Sequence, residues 1–196
     1  MTPRIEPLSE PYPPEAAERL AALMPSGQEP IRLFRTFVRN LPMAAGLNAW
    51  GRYYLSRQLS LSMRDRELVI DRTTARCGCD YEWGVHIAGY ADQVGLTRAQ
   101  VRSIAHGSPS DPCWTTHDAV LLEAVDALHD SATIDDQLWP RLVAEFTDAQ
   151  LLDLFLLAGW YHAISFAANA ARVEPEEGAP RLPRSRHEAP RSRPGP

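Results

Sequence analysis

The stretch RELVIDRTTARCGCDYEWGVHIAGYADQVGLTRAQV, residues 66–101, decides the fold. Apolar residues recur at three- and four-residue intervals ahead of Gly78, which predicts a helix over residues 63–77. Asp80 opens a second helical pattern, and Gly95 suits the left-handed residue that commonly ends a helix. We therefore predict two consecutive helices that meet at Gly78.

Outward from this hairpin, the same periodicity runs through most of the chain and predicts an all-α protein. Prolines and glycines separate the helices that precede the hairpin, and two TxxQ capping boxes start later helices. The other predicted helices cover residues 14–24, 31–39, 45–59, 97–105, 117–130, 134–146 and 148–173. Because the last of these contains polar residues among many apolar ones, we expect a buried core helix.

Length and composition predict a single domain with a tail at each end. The chain has 196 residues, 44% of them hydrophobic, which is enough for one sizeable core. Residues 1–29 are predicted to form an N-terminal arm and a first helix, and residues 30–173 the helical domain. Residues 174–196 are rich in proline and arginine and poor in large apolar side chains, so we expect a disordered tail.

Charge and hydropathy exclude several classes of function. A net charge of -5 does not provide the basic field that binds nucleic acid. No apolar run approaches the roughly 20 residues of a membrane span, and the N-terminal segment lacks the apolar core of a signal peptide. The chain contains no lysine, so a lysine Schiff base is impossible. We expect a cytoplasmic protein with a small-molecule substrate, no nucleic-acid or membrane partner, and no cofactor.

Reactive side chains concentrate at the junction of the two hairpin helices. A thiol at a helix N-terminus gains from the macrodipole and from free backbone N–H groups, so we expect a lowered pKa for Cys79. Glu82 and His86 lie one turn apart on the second helix. Since Cys79 and His86 are two turns apart, we expect Glu67 to connect them. The densest set of polar and reactive residues is Glu67, Asp71, Cys77, Cys79, Asp80, Glu82 and His86.

Residues outside this set have weaker signals. Cys77, Cys79, Glu82 and His86 include zinc-type ligands, but the second half of a structural zinc motif is missing, so no metal is predicted. Cys113 and most histidines, His129 among them, are interpreted as structural or surface residues. His162 differs because it lies in the apolar helix beside Tyr161. We assign substrate contacts to aromatic or imidazole side chains near the junction and in that helix, namely Tyr81, Trp83, Trp160 and His162.

The hairpin resembles the core of the carboxymuconolactone decarboxylase and alkylhydroperoxidase D superfamily. The later LAGWYHAISFAANAARV and EEGAPRLP are similar to its decarboxylase-like branch. The resemblance covers roughly residues 30–180 and implies an alkylhydroperoxidase D-like helical bundle that assembles as a dimer or a trimer of dimers. The residues that carry it in the hairpin are Arg66, Glu67, Tyr81, Glu82, Trp83, His86 and Gly95.

In the alkylhydroperoxidase branch, a CxxC pair forms a proton relay for peroxide reduction with a glutamate and a histidine. By the same spacing, Glu67 matches the glutamate, Cys79 the first cysteine and His86 the histidine. Glu82 stands in the place of the second cysteine, so the family's disulfide cannot form there. Cys77 is the only local substitute as a resolving thiol, and the small ring it would close with Cys79 is strained and easily reduced.

The resemblance leaves three hypotheses for function. The first is a cofactor-free decarboxylase-like lyase that performs decarboxylation, isomerisation or lactone chemistry on a small oxygenated carboxylate. There His86 is the general acid and base, Glu67 orients it, and Glu82 belongs to the same acid–base set. The second is a hydroperoxide reductase of the peroxiredoxin type that uses Cys79 with Cys77. The third is a non-catalytic helical assembly or binding protein, because fold does not fix function.

Overall fold

The computed structural model describes residues 2–25 and 27–183, and within these residues it contains nine α-helices and no β-strand. The helices are α1 (Pro14–Leu23), α2 (Arg32–Phe37), α3 (Leu41–Tyr54), α4 (Met63–Arg76), α5 (Asp80–Tyr90), α6 (Arg98–His106), α7 (Thr116–Ser131), α8 (Trp139–Glu145) and α9 (Asp148–Ala171). The all-α prediction is confirmed.

The helix α4 lies at the centre of the bundle. Every residue from 65 to 74 is buried, and the helix packs against α5, α6, α7 and α9. Its start is fixed by the Ser62 side chain, which accepts a hydrogen bond from the backbone N–H of Asp65. A helix that is buried all round presents every one of its polar side chains to the interior. The charged residues of α4 must therefore find partners inside the protein.

The long helix α9 packs on α4 as the second core helix. By length and composition alone it could cross a membrane, but half of its most apolar stretch of 18 residues is buried inside the protein. Its buried side chains Leu154, Leu157 and Tyr161 join one continuous apolar cluster with α4 and α7. The capping box of Thr147 and Gln150 at its N-terminus forms as predicted.

Two of the predicted helices have wrong boundaries. The helix expected over residues 45–59 begins at Leu41, because Pro42 stands in its first turn, where a missing N–H group costs nothing, and it ends already at Tyr54. The helix expected over residues 134–146 begins only at Trp139. The Asp135 carboxylate accepts hydrogen bonds from the backbone N–H groups of the next residues and holds them in a turn instead.

The N-terminal arm is ordered against the chain's own helices. The backbone N–H groups of Arg4 and Ile5 both donate to the carbonyl oxygen of Ala171, at 2.8 and 3.3 Å, and the N–H of Leu8 donates to the carbonyl oxygen of Arg35 at 3.0 Å. The arm thus joins the end of α9 to α2.

Residues 174–183, which we call the strap, contradict the expectation of disorder from residue 174. The Tyr81 hydroxyl donates to Glu176 Oε1 at 2.6 Å, and the backbone N–H of Leu182 donates to Asp80 Oδ1 at 2.6 Å. The Leu182 side chain also packs on the main core. Composition gave no sign of these specific acceptors on α5, which is why the expectation failed. The rest of the expected tail, residues 184–196, lies outside the described residues.

The strap crosses α5 so closely that only glycine fits beneath it. A Cβ atom at Gly84 would lie 2.6 Å from the carbonyl oxygen of Pro180 and 3.2 Å from Ala179 Cβ. The distance to the backbone oxygen is too short for a real side chain and the distance to Ala179 is tight, so the absence of a Cβ at Gly84 permits the strap to dock.

We expect Gly84→Ala to loosen the strap at a cost of about 1–3 kcal/mol, because the added methyl group has no space. The measurement is limited trypsin digestion of the native protein, with cleavage after Arg181 followed by mass spectrometry. Gly89→Ala on the same helix is the matched control, since a Cβ at Gly89 has no other atom within 4 Å. Cleavage should be at least about fivefold faster in Gly84→Ala. Equal rates in the two variants would contradict the contact.

Candidate active site

Glu67 and His86 form a buried pair at the centre of the bundle. His86 Nδ1 lies 2.8 Å from Glu67 Oε2, and Arg66 Nε donates to Glu67 Oε1 at 2.7 Å. Glu67 is completely buried and His86 is 6% exposed. Because Nδ1 is held by the carboxylate, the orientation of the imidazole is fixed and its Nε2 atom points to the opposite side.

Two polar groups face His86 Nε2. The Tyr161 hydroxyl of α9 lies 3.0 Å away, and Glu82 Oε2, one turn earlier on α5, lies 3.7 Å away. The Tyr90 ring stacks beside the imidazole with a centroid separation of 5.5 Å, and the Arg66 guanidinium lies over that ring at 5.2 Å. The site therefore gathers α4, α5 and α9 around one nitrogen atom that can donate or accept a proton.

The surrounding carboxylates favour the charged form of His86. Burial by itself lowers the pKa of His86, but the Glu67 hydrogen bond and the charges of Glu67, Glu82 and Asp71 raise the pKa above its ordinary value overall. Burial raises the pKa of Glu82, and the charge of His86 opposes this only in part. The imidazolium of His86 is thus stabilised by Glu67, while Glu82 holds a proton more tightly than an exposed carboxyl group does.

Asp71 is a second buried acid, one turn after Glu67 on α4. Burial raises the pKa of Asp71 well above 3.8; the nearby His86 charge lowers it and Glu67 raises it further. Its Oδ1 atom has no hydrogen-bond partner among the described residues. Asp71 therefore holds its proton more tightly than an exposed carboxyl group does, since an ionised carboxylate without a partner is costly in the interior.

Cys79 does not have the activated thiol that its position predicted. It is the N-cap of α5, and the backbone N–H of Glu82 lowers the pKa of its thiol, but burial outweighs this and raises the pKa to about 11. The prediction of a lowered pKa is therefore wrong, because loss of hydration exceeds the effect of the helix terminus. Burial also raises the pKa of the half-buried Cys77. Both thiols are free.

Glu82, rather than Glu67, is the residue between Cys79 and His86. The polar contacts of Glu67 within the described residues are with Arg66 and His86. The Glu82 backbone N–H lies at the Cys79 thiol and lowers its pKa, while the Glu82 carboxylate faces His86. The expected link through Glu67 is thus replaced by one residue that contacts both groups with different atoms.

The four residues assigned to substrate binding make other contacts. The Tyr81 hydroxyl accepts from the backbone N–H of Leu33 at 3.0 Å and donates to the strap, and Trp83 is a fully buried core residue. Trp160 stacks on Trp50 with ring centroids 6.3 Å apart. His162 Nε2 lies 2.9 Å from His129 Nδ1. Their role in substrate binding stays a prediction.

Sequence reasoning missed the two tyrosines that surround His86. Tyr90 follows His86 by one helical turn, so the i, i+4 rule could have placed it beside the imidazole. Tyr161 comes from a helix 75 residues later in the chain. No local pattern indicates which face of α9 meets α5, so this contact needed the fold.

Residues 43–128 match the model of the Carboxymuconolactone decarboxylase family. The resemblance that the hairpin predicted is confirmed. The matched region contains α4 and α5 entirely, and so includes Glu67, Cys79, Glu82 and His86, whereas Tyr161 lies beyond it. The assignment to the decarboxylase-like branch rests on the sequence of the hairpin and of the later segments LAGWYHAISFAANAARV and EEGAPRLP, and it stays a prediction.

Several solved structures share the fold. An uncharacterized peroxidase-related protein from Silicibacter sp. TM1040 is 16% identical, with a TM-score of 0.75 over 88% of this chain and 93% of that one. An alkylhydroperoxidase AhpD core protein from Ralstonia eutropha JMP134 is 14% identical, with a TM-score of 0.74 over the same shares, 88% and 93%. The debrominase Bmp8, as a cysteine-to-alanine variant with 2,3,4-tribromopyrrole, is 11% identical, with a TM-score of 0.73 over 90% and 94%.

A comparison with proteins of curated function gives no significant match. At these identities, the structural similarity establishes a single-domain helical fold of the alkylhydroperoxidase D type. The matching family model is that of a decarboxylase family, whereas the proteins that share the fold include a peroxidase-related protein and a debrominase, so the chemistry has to be argued from the site.

Replacing Glu67 should lower the pKa of His86. Glu67→Gln keeps the size of the side chain and removes the charge that stabilises the imidazolium, so we expect a fall of about 1 pH unit or more. The His86 ring resonances in an NMR titration measure this directly. Glu123→Gln is the control, because Glu123 pairs with Arg141 on the surface. An unchanged His86 titration in Glu67→Gln would show that Glu67 does not set its charge.

Asp71 should make the protein less stable as the pH rises. Its pKa in the folded state exceeds the unfolded value of 3.8, so above about pH 4 the folded state binds more protons than the unfolded state, and stability falls until the pH passes the folded-state pKa. Asp71→Asn cannot ionise and should show a flatter pH dependence, with a gain of about 1.4 kcal/mol for each pH unit of this range that it avoids. Urea unfolding between about pH 5 and pH 8 tests this. The exposed Asp92→Asn variant should behave like the unaltered protein, and a parallel response of Asp71→Asn would refute the assignment.

Proposed function

We propose that the protein is a cofactor-free acid–base enzyme of the carboxymuconolactone decarboxylase-like branch, acting on a small oxygenated, carboxylate-bearing substrate. The observation that carries this proposal is the buried Glu67–His86 pair, whose second imidazole nitrogen faces Tyr161 and Glu82. A positioned imidazole with a carboxylate behind it is a common arrangement for general acid–base catalysis.

In this proposal, His86 Nε2 is the atom that transfers the proton. Glu67 holds Nδ1, so the imidazolium keeps one orientation, and the proton on its Nε2 atom is directed away from Glu67. In a decarboxylation, the electron pair of the broken carbon–carbon bond would stay on the substrate carbon, which would take its proton from His86. In an isomerisation, Glu82 would accept a proton from one carbon while His86 delivers one to another. The raised pKa of Glu82 brings its proton exchange closer to neutral pH than that of an exposed carboxyl group.

The small exposure of the site points to a small substrate. Glu82 and His86 are 4% and 6% exposed, and the Tyr161 hydroxyl already occupies the hydrogen-bonding position at Nε2. A substrate must therefore displace that hydroxyl. The pKa of Tyr161 is raised, first by burial and then by the charges of Glu82 and Glu67, so the displaced group remains a neutral phenol that can donate to the substrate.

The alternative is a thiol peroxidase that uses Cys79 with Cys77. It is supported by the similarity to peroxidase-related proteins and by the presence of two free thiols separated by one residue in the sequence. The burial of Cys79 and its pKa of about 11 favour the acid–base reaction instead, because a peroxidatic cysteine reacts as the thiolate.

We further propose that the enzyme is a cytoplasmic homo-oligomer, either a dimer or a trimer of dimers. The helix α9 leaves three large apolar side chains more than half exposed, Leu152, Leu156 and Phe166. An apolar surface of this kind is often covered by another subunit.

Two variants distinguish the reactions. The assay screens lactones and small carboxylic acids for turnover, and His86→Gln should reduce it by about 10²–10⁴-fold, the contribution of a positioned acid–base group. Cys79→Ser should retain turnover within about twofold, because in this reaction the thiol transfers no proton.

The peroxide reaction supplies the contrary outcome. Intact mass and thiol titration before and after one equivalent of hydrogen peroxide show whether Cys77 and Cys79 are oxidised together. Loss of two thiols with loss of two hydrogens, reversed by a dithiol and abolished in Cys79→Ser, would replace the acid–base proposal with the peroxidase. Unreacted thiols without turnover of any substrate would favour a non-catalytic helical protein.

A further inference from the structure

A second group of potential ligands lies outside the acid–base site. Cys77 caps the C-terminus of α4, His129 lies in the last turn of α7, and His162 lies in the middle of α9. One ligand atom from each residue lies within 4.8 Å of the other two. Neither the acid–base reaction nor the packing of the core requires this arrangement.

We propose that Cys77, His129 and His162 bind a zinc ion whose fourth coordination position is open to water or to a small ligand. A thiolate with two imidazoles is a common donor set for Zn²⁺, and three protein ligands with one open position are typical of reactive rather than structural zinc sites. This site uses Cys77, which the sequence offered as a resolving thiol and as one of four zinc-type ligands at the junction, but with two histidines from other helices.

The hydrogen bonds of His162 place a lone pair on the nitrogen that faces His129. His162 Nδ1 lies 2.8 Å from the carbonyl oxygen of Ala158, so Nδ1 carries the proton and Nε2 carries a lone pair. That Nε2 atom faces His129 Nδ1 at 2.9 Å. Metal-binding histidines usually donate their other ring N–H to a carbonyl or a carboxylate in this way, which fixes the tautomer and the ring orientation.

The thiol is held at the site by its backbone. The N–H of Cys77 donates to the carbonyl oxygen of Thr73 at 2.9 Å, and the Asn169 side-chain amide donates to the carbonyl oxygen of Cys77 at 3.0 Å. Asn169 and His162 belong to the same helix, so α9 positions both the cysteine and one imidazole. Sites carried by helices are held more precisely than sites carried by loops.

The two imidazole nitrogens require only a small adjustment to admit an ion, and the Cys77 sulfur lies within 4.8 Å of the imidazole ligand atoms. With bond lengths of about 2.0–2.1 Å to nitrogen and about 2.3 Å to sulfur, tetrahedral ligand atoms lie roughly 3.3–3.6 Å apart. The two imidazole nitrogens are 2.9 Å apart and hydrogen-bonded, so a zinc ion would take the place of the shared proton and open the pair by a few tenths of an ångström. The His129 ring would then carry its proton on Nε2 instead of Nδ1, and the Cys77 thiol would release its proton to solvent. All three side chains are half-buried, which leaves a path to solvent.

The neighbouring charges are compatible with a cation. Arg76 precedes Cys77, but its guanidinium pairs with Asp130 and lies 3.7 Å from Asp126, which Arg72 also binds, so the two arginines are balanced by two carboxylates of α7. The cation nearest to the site in sequence therefore has its own anionic partners, and a thiolate at Cys77 would add a negative charge for the ion.

The test is metal titration of the reduced full-length protein, with Co²⁺ as the spectroscopic probe and Zn²⁺ as the competitor. We expect one equivalent of Co²⁺ to give a thiolate-to-cobalt charge-transfer band together with the visible bands of tetrahedral cobalt, and one equivalent of Zn²⁺ to abolish both. Cys77→Ser should remove the charge-transfer band. His162→Gln and His129→Gln should each weaken binding by more than tenfold, because even loss of an outer partner costs about 10–100-fold.

Cys79→Ser is the matched control, since it removes the adjacent thiol and leaves the three ligands in place. It should keep the band and the one-to-one stoichiometry, and circular dichroism checks that every variant is folded. Loss of the band in Cys79→Ser with retention in Cys77→Ser would overturn the assignment, and so would the absence of stoichiometric binding in the unaltered protein. The readout is independent of turnover, so failure of the metal site and failure of the acid–base reaction are distinguishable.

Discussion

The structure depends on the pairing of charges inside α4. A helix buried on all sides would be unstable if its arginine and glutamate side chains had no partners. In α4, Arg66 and Glu67 contact each other directly. Arg72 pairs with Asp126 of α7 through two hydrogen bonds of 2.7 and 2.6 Å and also binds carbonyl oxygens at the end of α6. Removing one partner of such a buried pair typically costs about 3–5 kcal/mol. These paired charges allow α4 to be buried on all sides, and its burial places Glu67 in the core, where Glu67 contacts His86.

The burial that builds the acid–base site also suppresses the thiol. Loss of hydration raises the pKa values of Asp71, Glu82 and Cys79 together. For the carboxyl groups, this brings proton exchange closer to neutral pH, which helps acid–base chemistry. For Cys79 it removes the thiolate, which opposes redox chemistry. One physical effect thus acts in opposite directions on the two leading functional hypotheses.

The sequence was sufficient wherever the deciding contacts are local. The helical hairpin, its cap at Ser62 and the i, i+4 pair of Glu82 and His86 all follow from spacing within a turn or two. The strap and Tyr161 depend on contacts between residues about 75 to 100 positions apart, for which periodicity carries no information. The prediction of a lowered pKa for Cys79 failed for a related reason. The helix terminus can be read from the sequence, but the degree of burial that outweighs it cannot.

Gly78 explains how two cysteines separated by one residue enter different environments. Its φ of +58° ends α4 in a left-handed turn, in which Cys79 N–H donates to the carbonyl oxygen of Thr74 at 2.9 Å and Gly78 N–H to that of Ala75 at 3.0 Å. This turn leaves Cys77 half-buried near α7 and α9, whereas Cys79 begins α5 in the interior. A side chain at Gly78 would strain this backbone, so the separation of the thiols depends on glycine there. Gly78 thus places Cys77 near His129 and His162, in the proposed zinc site, and Cys79 in the interior beside Glu82. The proposed metal binding and the proposed acid–base reaction can therefore coexist in one hairpin.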